Sequence, residues 1–347
     1  MLVVITVLGS AVRTFILPRS APDRLVRLLS VPVRWAFQVW TWRTTTYEAR
    51  DAKYALYAPL SLLALPVAWL ALIGLGYMAM YGALGEFSWY QAVELSGSSM
   101  FTLGFVLPTS APILLLAFSE AGIGLILAAL FIAYLPAMYG AFSRRETLVT
   151  MLEVRAGSPP SAVELIERYH RLGRFDHLHE LWETWELWFA ELEETHTSLS
   201  ALVFFRSPRP EHSWVTAAGT VLDSSALIVS LLNIPHDDQA DLCIRAGYIA
   251  LRHIADYFGI KYDPQPKPTD AISITRPEFD AAWEHMTERG VPLKPDREQA
   301  WRDYAGWRVN YDVPLLALAE LTVAPYAPWT SDRGLAQRVR VPIFRLR

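Results

Sequence analysis

The sequence contains a single cysteine, Cys243, among its 347 residues. An intramolecular disulfide is therefore excluded, and the composition suits a reducing compartment. The chain has no Gly-x-Ser-x-Gly motif and no glycine-rich nucleotide fingerprint, and its net charge is −4. Because nucleic-acid-binding surfaces are basic, this charge gives no support for a nucleic-acid partner. The motifs do not predict an enzyme.

Charge is scarce and unevenly distributed. Charged residues make up 19% of the chain, against about a quarter in ordinary soluble proteins, and hydrophobic residues make up 52%. No charged residue lies between Lys53 and Glu86, and only Glu120 lies between Glu94 and Arg144. The pattern predicts a membrane part over roughly the first 145 residues and a soluble part of about 200 after it.

Two stretches have the length that a helix needs to cross a bilayer, about 20 apolar residues. They are residues 54–84 and residues 112–142, and the second contains Glu120. Residues 2–17 form a shorter apolar stretch. We interpret it as a short first helix rather than a cleaved signal, because no basic residue precedes Arg13. An interfacial helix is the alternative.

Basic residues predict the orientation, since they collect on the cytoplasmic side of membranes. Residues 83–110 contain no lysine or arginine, whereas Arg144 and Arg145 follow the last span. Between the short apolar stretch at residues 2–17 and the span at residues 54–84, the basic residues are Arg19, Arg24, Arg27, Arg34, Arg43, Arg50 and Lys53. Residues 19–53 and the soluble part are therefore expected inside the cell, and residues 83–110 outside.

An amphipathic helix is predicted between residues 2–17 and residues 54–84. Arg24, Arg27 and Arg34 alternate with apolar residues at roughly helical spacing. Such a segment is expected to lie at the inner membrane interface. Its aromatic anchors would be Trp35, Trp40 and Trp42.

The connection between the two spans is long and mostly apolar. Ser88 is placed to cap a helix over residues 89–100, and residues 96–108 read SGSSMFTLGFVLP. Non-helical backbone at membrane depth requires surrounding protein or a water-filled cavity. A short helix followed by an extended, glycine-containing strand is how carbonyl-lined ion filters are built, so we predict a re-entrant pore loop. The hydroxyls that would add ligands or brace the strand are those of Ser98, Ser99 and Thr102.

The order of span, short helix, filter-like tetrapeptide and span resembles the pore module of the two-helix potassium channels, inward rectifiers in particular. The family signature is Thr-x-Gly-Tyr/Phe-Gly, and the residues that match it are Thr102, Leu103, Gly104 and Phe105. The resemblance covers about residues 54–145 and includes Glu120 with Gly124 four residues on. It implies a conduction filter made of backbone carbonyls, potassium or another monovalent cation as the permeant ion, and a ring of four chains. The family has a β-sandwich after the last span, whereas this sequence predicts helices there.

Val106 is where the match to the signature ends. The family has a second filter glycine at this position, with a positive φ that a β-branched residue rarely adopts. Leu107 stands where an aspartate often follows. Three outcomes stay open: the outer filter has a different shape, potassium selectivity is lost, or the pore does not conduct.

Two carboxylates lie in the predicted membrane part. An ionisable group at membrane depth is costly and usually faces a cavity or a partner. Glu120 is expected to hydrogen-bond behind the filter, to pair with Ser98 or Ser99, or to face the ion path. Glu94, in the pore helix, either helps to hold the outer mouth or faces the water outside.

The part after residue 145 predicts a bundle of six or seven helices. Ser161 begins a capping box with Glu164, and apolar residues recur at helical spacing over residues 177–196. Further helices are expected over residues 214–232, 238–258, 277–289, 297–305 and 314–322. The first of these is apolar apart from Asp223. We interpret it as a buried core helix, with a further membrane span as the alternative.

Three polar positions in the soluble part have a chemical and a structural interpretation. His179 and Glu183 lie one turn apart and have metal-ligand chemistry, but a solvated helix face is the preferred interpretation. His196 is expected at a capped helix end rather than in a catalytic site. Asp237 is expected at the negatively charged start of a helix.

The sequence thus predicts an all-α integral membrane protein, with two or three transmembrane helices and a re-entrant pore helix, followed by a helical cytoplasmic domain. The expected divisions are residues 1–53 for the short membrane helix and the amphipathic segment, 54–145 for the pore module, and 146–347 for the cytoplasmic domain. The residues expected to support the filter are Ser98, Ser99, Val106, Glu94 and Glu120.

The expected function is a homotetrameric cation channel of the cell membrane, surrounded by lipid and selective or weakly selective for potassium. No cofactor, bound metal or nucleic acid is expected, and the sequence identifies no gating ligand. The alternative is a membrane-anchored sensor or scaffold with a vestigial pore.

Overall fold

The computed structural model describes residues 1–15, 24–84, 88–108 and 110–333. Within these ranges the regular structure is helical, with no strand and one isolated β-bridge between Leu232 and Leu293. The expectation of an all-α chain is confirmed. The chain packs as two compact units, of which unit 1 is Met1–Ala141 with Ser198–Phe205 and unit 2 is Phe142–Thr197 with Arg206–Arg347.

Unit 1 is built around a core of apolar helices. Its helices are α1 (Leu2–Phe15), α2 (Arg24–Thr41), α3 (Tyr47–Tyr54), α4 (Tyr57–Ala83), α5 (Trp89–Met100) and the first part of α6 (Ala111–Ala156). Trp69 and Ile73 of α4, Leu95 of α5 and Ile113 of α6 are fully buried together. Val4 of α1 reaches α4 at Gly76, where a Cβ would lie 2.9 Å from the Val4 Cγ2 atom. A larger residue than glycine would therefore push α1 away.

Three helices are long and apolar enough to cross a membrane, and α1 is a shorter apolar helix. The three are Tyr47–Ala83, which joins α3 and α4, Ala111–Ala156 and Trp214–Leu231. The chain itself buries 94% of the apolar window of Trp214–Leu231, but only 33% and 28% of the windows in the other two. The first two helices therefore have apolar surface available for lipid or another chain, whereas the third is enclosed by its own unit.

The amphipathic segment forms the predicted helix, α2. The side chains of Trp35, Trp40 and Trp42 are exposed, and Phe37 is buried against Tyr57, with ring centroids 5.5 Å apart. Arg19 and the side chains of Arg24 and Arg27, on which part of this prediction depends, lie outside the described residues. The position of α2 at a membrane interface stays a prediction.

Unit 2 contains the last turns of α6 and seven further helices within the described residues. They are α7 (Ala162–Arg171), α8 (Leu178–Ser198), α9 (Trp214–Leu231), α10 (Asp238–Tyr257), α11 (Arg276–Glu288), α12 (Arg297–Arg308) and α13 (Asp312–Thr322). Every helix predicted for this region is present, and side-chain caps begin α7, α9, α10, α11 and α12, whereas α13 begins after Tyr311 without one. The Ser161 hydroxyl caps α7 as expected, but the Glu164 carboxylate pairs with Arg168 instead of completing the capping box.

A buried polar network holds α9 against α12. Arg308 Nη1 lies 2.7 Å from both Asp223 carboxylate oxygens, and Arg308 Nε lies 2.7 Å from Asp312 Oδ1. The hydroxyls of Tyr304 and Tyr311 also donate to Asp223 Oδ1. A buried charge is tolerated when it is paired and hydrogen-bonded, so the network accounts for the lone aspartate in an apolar helix.

Candidate functional site

Helix α5 begins and ends where the sequence predicts, from Trp89 to Met100. The N–H of Gln91 donates to the Ser88 hydroxyl, and the Gln91 Oε1 atom accepts the Ser88 N–H at 2.9 Å, which completes a capping box. Ala92 and Leu95 form the buried face of the helix. A strong cap at one end and a buried face together fix the direction in which α5 delivers the chain to the following loop.

The loop after α5 starts as a tight turn, not as the extended strand that the filter resemblance predicts. The Thr102 N–H donates to the Ser99 carbonyl at 3.0 Å, and the Leu103 and Gly104 N–H groups both donate to the Ser98 carbonyl, at 2.8 and 3.3 Å. Thr102 and Gly104 have φ values of +54° and +69°. These bonds satisfy carbonyls left without partners at the end of the helix, which is why the chain turns before it extends.

Ser98 also braces the outer part of the loop. Its side-chain oxygen accepts the N–H of Val106 at 3.2 Å, and Val106 packs half-buried against the core of unit 1. Val106 is not among the described residues with positive φ, whereas Thr102 and Gly104 are. The left-handed positions therefore come earlier than in the family signature, and the valine avoids the strain expected of it.

The carbonyl oxygens of residues 102–105 accept no hydrogen bond from any residue that the structure describes. Four large apolar side chains of the loop, Phe101, Leu103, Phe105 and Leu107, are strongly exposed, reaching 82% at Leu107. Large apolar side chains in such a row are unfavourable in water. The loop thus offers free carbonyl oxygens next to apolar side chains that suit lipid or another protein surface.

Glu120 lies behind this loop and joins three helices. Its side chain is 0% exposed; the Ser96 hydroxyl of α5 donates to Oε1 at 2.5 Å, and the Tyr81 hydroxyl of α4 donates to Oε2 at 2.8 Å. Glu120 is thus hydrogen-bonded to α5, but its partner there is Ser96 rather than Ser98 or Ser99. Its role behind a filter stays a prediction. Ser96 follows Ala92 by four residues and so shares the buried face of α5, a spacing that the sequence contains.

Gly124 brings α6 against the end of α5. A Cβ at this position would lie 2.4 Å from the Met100 carbonyl oxygen, so only glycine fits. Gly122 has no atom within 4 Å of such a Cβ and plays no part in the contact. The sequence-based expectation of close helix packing is therefore met at one of the two glycines.

Two other predicted positions do not contact Glu120 directly, although the Ser99 side chain hydrogen-bonds with Tyr81, which donates to Glu120. Glu94 is half-buried on α5 and interacts with the exposed Tyr90 one turn earlier. Ser99 is half-buried, and its carbonyl takes part in the turn at the end of α5. Neither side chain contacts Glu120 through a described hydrogen bond.

The histidines of unit 2 do not form a metal site. Nowhere in the described ranges do three or more His, Cys, Asp or Glu side chains group to hold a metal ion. His179 Nδ1 lies 2.9 Å from Asp237 Oδ1 on the surface, and Asp237 caps α10 as predicted. His196 lies in the last turn of α8, near the helix end where it was expected. Its ring is buried, with Nε2 3.1 Å from Arg145 Nη1 and the ring centroid 4.8 Å from that of Trp214.

The arrangement in unit 1 has the parts that a cation-binding loop needs. The C-terminal end of α5 carries partial negative charge, the loop has free carbonyls, and a buried carboxylate ties the supporting helices together. Comparison of the chain with protein-family models, curated proteins and solved structures gives no match. The functional argument therefore depends on the geometry of the chain itself.

Proposed function

We propose that the chain is one subunit of a homotetrameric pore-loop cation channel, with potassium or a weakly selected monovalent cation as the permeant ion. The observation that carries the proposal is the short helix α5, which lies between two apolar helices and ends in a loop with free carbonyls at residues 102–105. In this proposal residues 146–347 form a cytoplasmic domain that gates or stabilises the assembly.

The chemistry of the loop supports a cation rather than an anion as the permeant species. Carbonyl oxygens from Thr102, Leu103, Gly104 and Phe105 of four chains would replace the water shell of the ion. The negative end of the α5 dipole favours positive charge at the same place. Glu120 acts from behind by fixing α5 against its neighbours, and Ser98 fixes the outer part of the loop.

The number of chains follows from the loop. One loop per chain cannot enclose an ion, so a ring requires several copies. The exposed row of Phe101, Leu103, Phe105 and Leu107 supplies apolar surface that such an assembly or the surrounding lipid would cover. The resemblance of the loop to the two-helix potassium channels favours a ring of four chains.

A flux assay on purified protein in liposomes tests the proposal, with potassium, sodium and chloride gradients compared in turn. We expect potassium flux that is lost in Gly104→Asp, because the new side chain enters the ion path. Gly82→Asp is the matched control: Gly82 is exposed near the end of α4, and a Cβ there meets no atom within 4 Å. Equal flux of potassium and sodium would keep the pore and remove the selectivity.

The second candidate function is a membrane-anchored sensor or scaffold whose loop does not conduct. The bond between the Val106 N–H and Ser98 favours it, because together with the packing of Val106 it holds the outer loop against its own subunit. Absence of flux from a folded tetramer, in both the natural chain and Val106→Gly, would support this candidate over the channel.

A further inference from the structure

Unit 2 contains a cavity of about 360 Å³ that the proposed function does not use. Its walls come from the last turns of α6, from α7 and from the start of α8. Leu148, Leu152, Leu181 and Trp185 give it an apolar lining. Ligand cavities in proteins have volumes of roughly 300–1,000 Å³, so this one has room for a small organic molecule.

The same cavity is basic. Three arginines line it, Arg155, Arg168 and Arg174, together with His177 and a single carboxylate, Glu180. Glu180 lies 3.6 Å from His177. Because Glu164 neutralises Arg168, Arg155 and Arg174 exceed Glu180 by one charge, and the lining attracts an anion.

Two of these arginines have guanidinium groups available to bind a ligand. Among the described residues, neither Arg155 nor Arg174 forms an ion pair; Arg155 Nη1 donates to the Met151 carbonyl of its own helix. Arg168 is held by Glu164 and the Val154 carbonyl, yet its Nε–H is buried without a partner. That Nε–H is closed off from solvent and therefore from the open cavity, which leaves Arg155 and Arg174 as the arginines that can bind a ligand.

We infer that this cavity binds a small organic anion, a phosphate or carboxylate group attached to an apolar body. The anionic group would lie between Arg155 and Arg174, because guanidinium groups match the geometry of both anions. The apolar body would lie against Leu152 and Trp185. A bare inorganic ion would leave this apolar lining unused.

The site has a regulatory consequence that depends on the proposed function. Helix α6 runs without interruption over Ala111–Ala156, and Leu148, Leu152 and Arg155 on its last turns line the cavity. A ligand there contacts the same helix that carries Glu120. If the chain conducts ions, occupation of the cavity changes the flux.

Binding is tested on the full chain in lipid nanodiscs by isothermal titration calorimetry with 1-naphthyl phosphate. We expect saturable binding that weakens at least about tenfold in the double variant Arg155→Gln, Arg174→Gln, since each loses a charge-assisted hydrogen bond. Arg171→Gln, an exposed arginine of α7 outside the cavity lining, is the matched control and leaves binding unchanged. Inorganic phosphate tests the anionic group of the ligand alone, and 1-naphthol tests the apolar body alone. Both are expected to bind more weakly than 1-naphthyl phosphate.

The inference is overturned if the folded chain binds no 1-naphthyl phosphate, if the double variant binds it as tightly as the natural chain, or if 1-naphthol binds equally well. Liposome flux with and without the probe keeps the two proposals apart. Binding without any flux would contradict the channel proposal and support the binding site. Flux without binding would contradict the binding site and support the channel.

Discussion

Glu120 accepts hydrogen bonds from Ser96 and Tyr81, which lie on two other helices. Removing its carboxylate leaves both buried hydroxyls without this acceptor, and a buried unsatisfied polar group costs about 1–3 kcal/mol. We therefore expect Glu120→Ala to lower the free energy of unfolding by roughly 2–4 kcal/mol. The measurement is SDS titration in mixed micelles, followed by circular dichroism.

The control for this change is Glu94→Ala, which removes the other carboxylate of the same unit. Glu94 contacts only an exposed tyrosine by a described hydrogen bond, so its loss should change stability by less than about 0.5 kcal/mol. Equal effects of the two substitutions would show that Glu120 does not join the helices.

For single residues, the sequence predicts which side chains form buried hydrogen bonds better than it predicts the partners in those bonds. An isolated glutamate in an apolar span predicts a buried hydrogen bond, because an unpaired charge at that depth is costly. The choice of Ser96 over Ser98 depends on the rotation of α5 about its axis, and the role of Tyr81 depends on where α4 packs. Both are properties of tertiary packing that local sequence does not determine.

Helix α8 meets the part of α6 that belongs to unit 2 through His196, whose ring lies against Arg145 and Trp214. Burial, with a further effect from the Arg145 charge, holds the pKa of His196 well below its usual value of 6.5. The folded chain therefore keeps this ring neutral at pH values where the unfolded chain binds a proton. The stabilising contribution is complete above pH 6.5 and is lost progressively as the pH falls below it.

The free energy of unfolding of unit 2 can be measured by urea titration of the full chain, followed by tryptophan fluorescence. We expect the contribution of His196 to this free energy to be constant above about pH 7.5. Below pH 6.5 it should fall by up to about 1.4 kcal/mol per pH unit. His196→Gln should lack this part of the slope, whereas exposed His253→Gln should retain it. An identical slope in all three proteins would contradict the assignment.

The helices themselves were predictable in position, whereas their contacts were not. Trp214–Leu231 illustrates the difference: its length and hydropathy equally suit a span and a core helix, and the sequence supplies Asp223 as the only internal signal. Arg308, which pairs with that aspartate, is 85 residues away in the chain. The pairing could not be inferred from spacing, because it is formed by two helices that meet only after folding.

The whole molecule exposes apolar surface on α4, α6 and the loop after α5. If the proposed ring forms, purified protein should have four times the mass of the 39.2 kDa chain once detergent is subtracted. Light scattering coupled to size exclusion measures this mass. A monodisperse monomer or dimer would exclude a pore enclosed by four loops, and with it the channel.

The division into an apolar first part and a charged second part could be predicted from composition alone, because a lipid-facing helix excludes charge over its full length. The basic cavity of unit 2 could not. Its arginines come from α6, α7 and the loop after α7 and are scattered among basic residues that face solvent, so no motif distinguishes them.

The continuity of α6 gives the molecule a mechanical element. A helix of 46 residues is about 69 Å long and stiff along its axis. Its one internal proline, Pro136, has no N–H to donate to the carbonyl of Ile132, so the bending stiffness is lowest at that turn. Any bending of α6 is therefore expected to be concentrated at residues 132–136, which lie along the helix between Glu120 and the residues that line the cavity of unit 2.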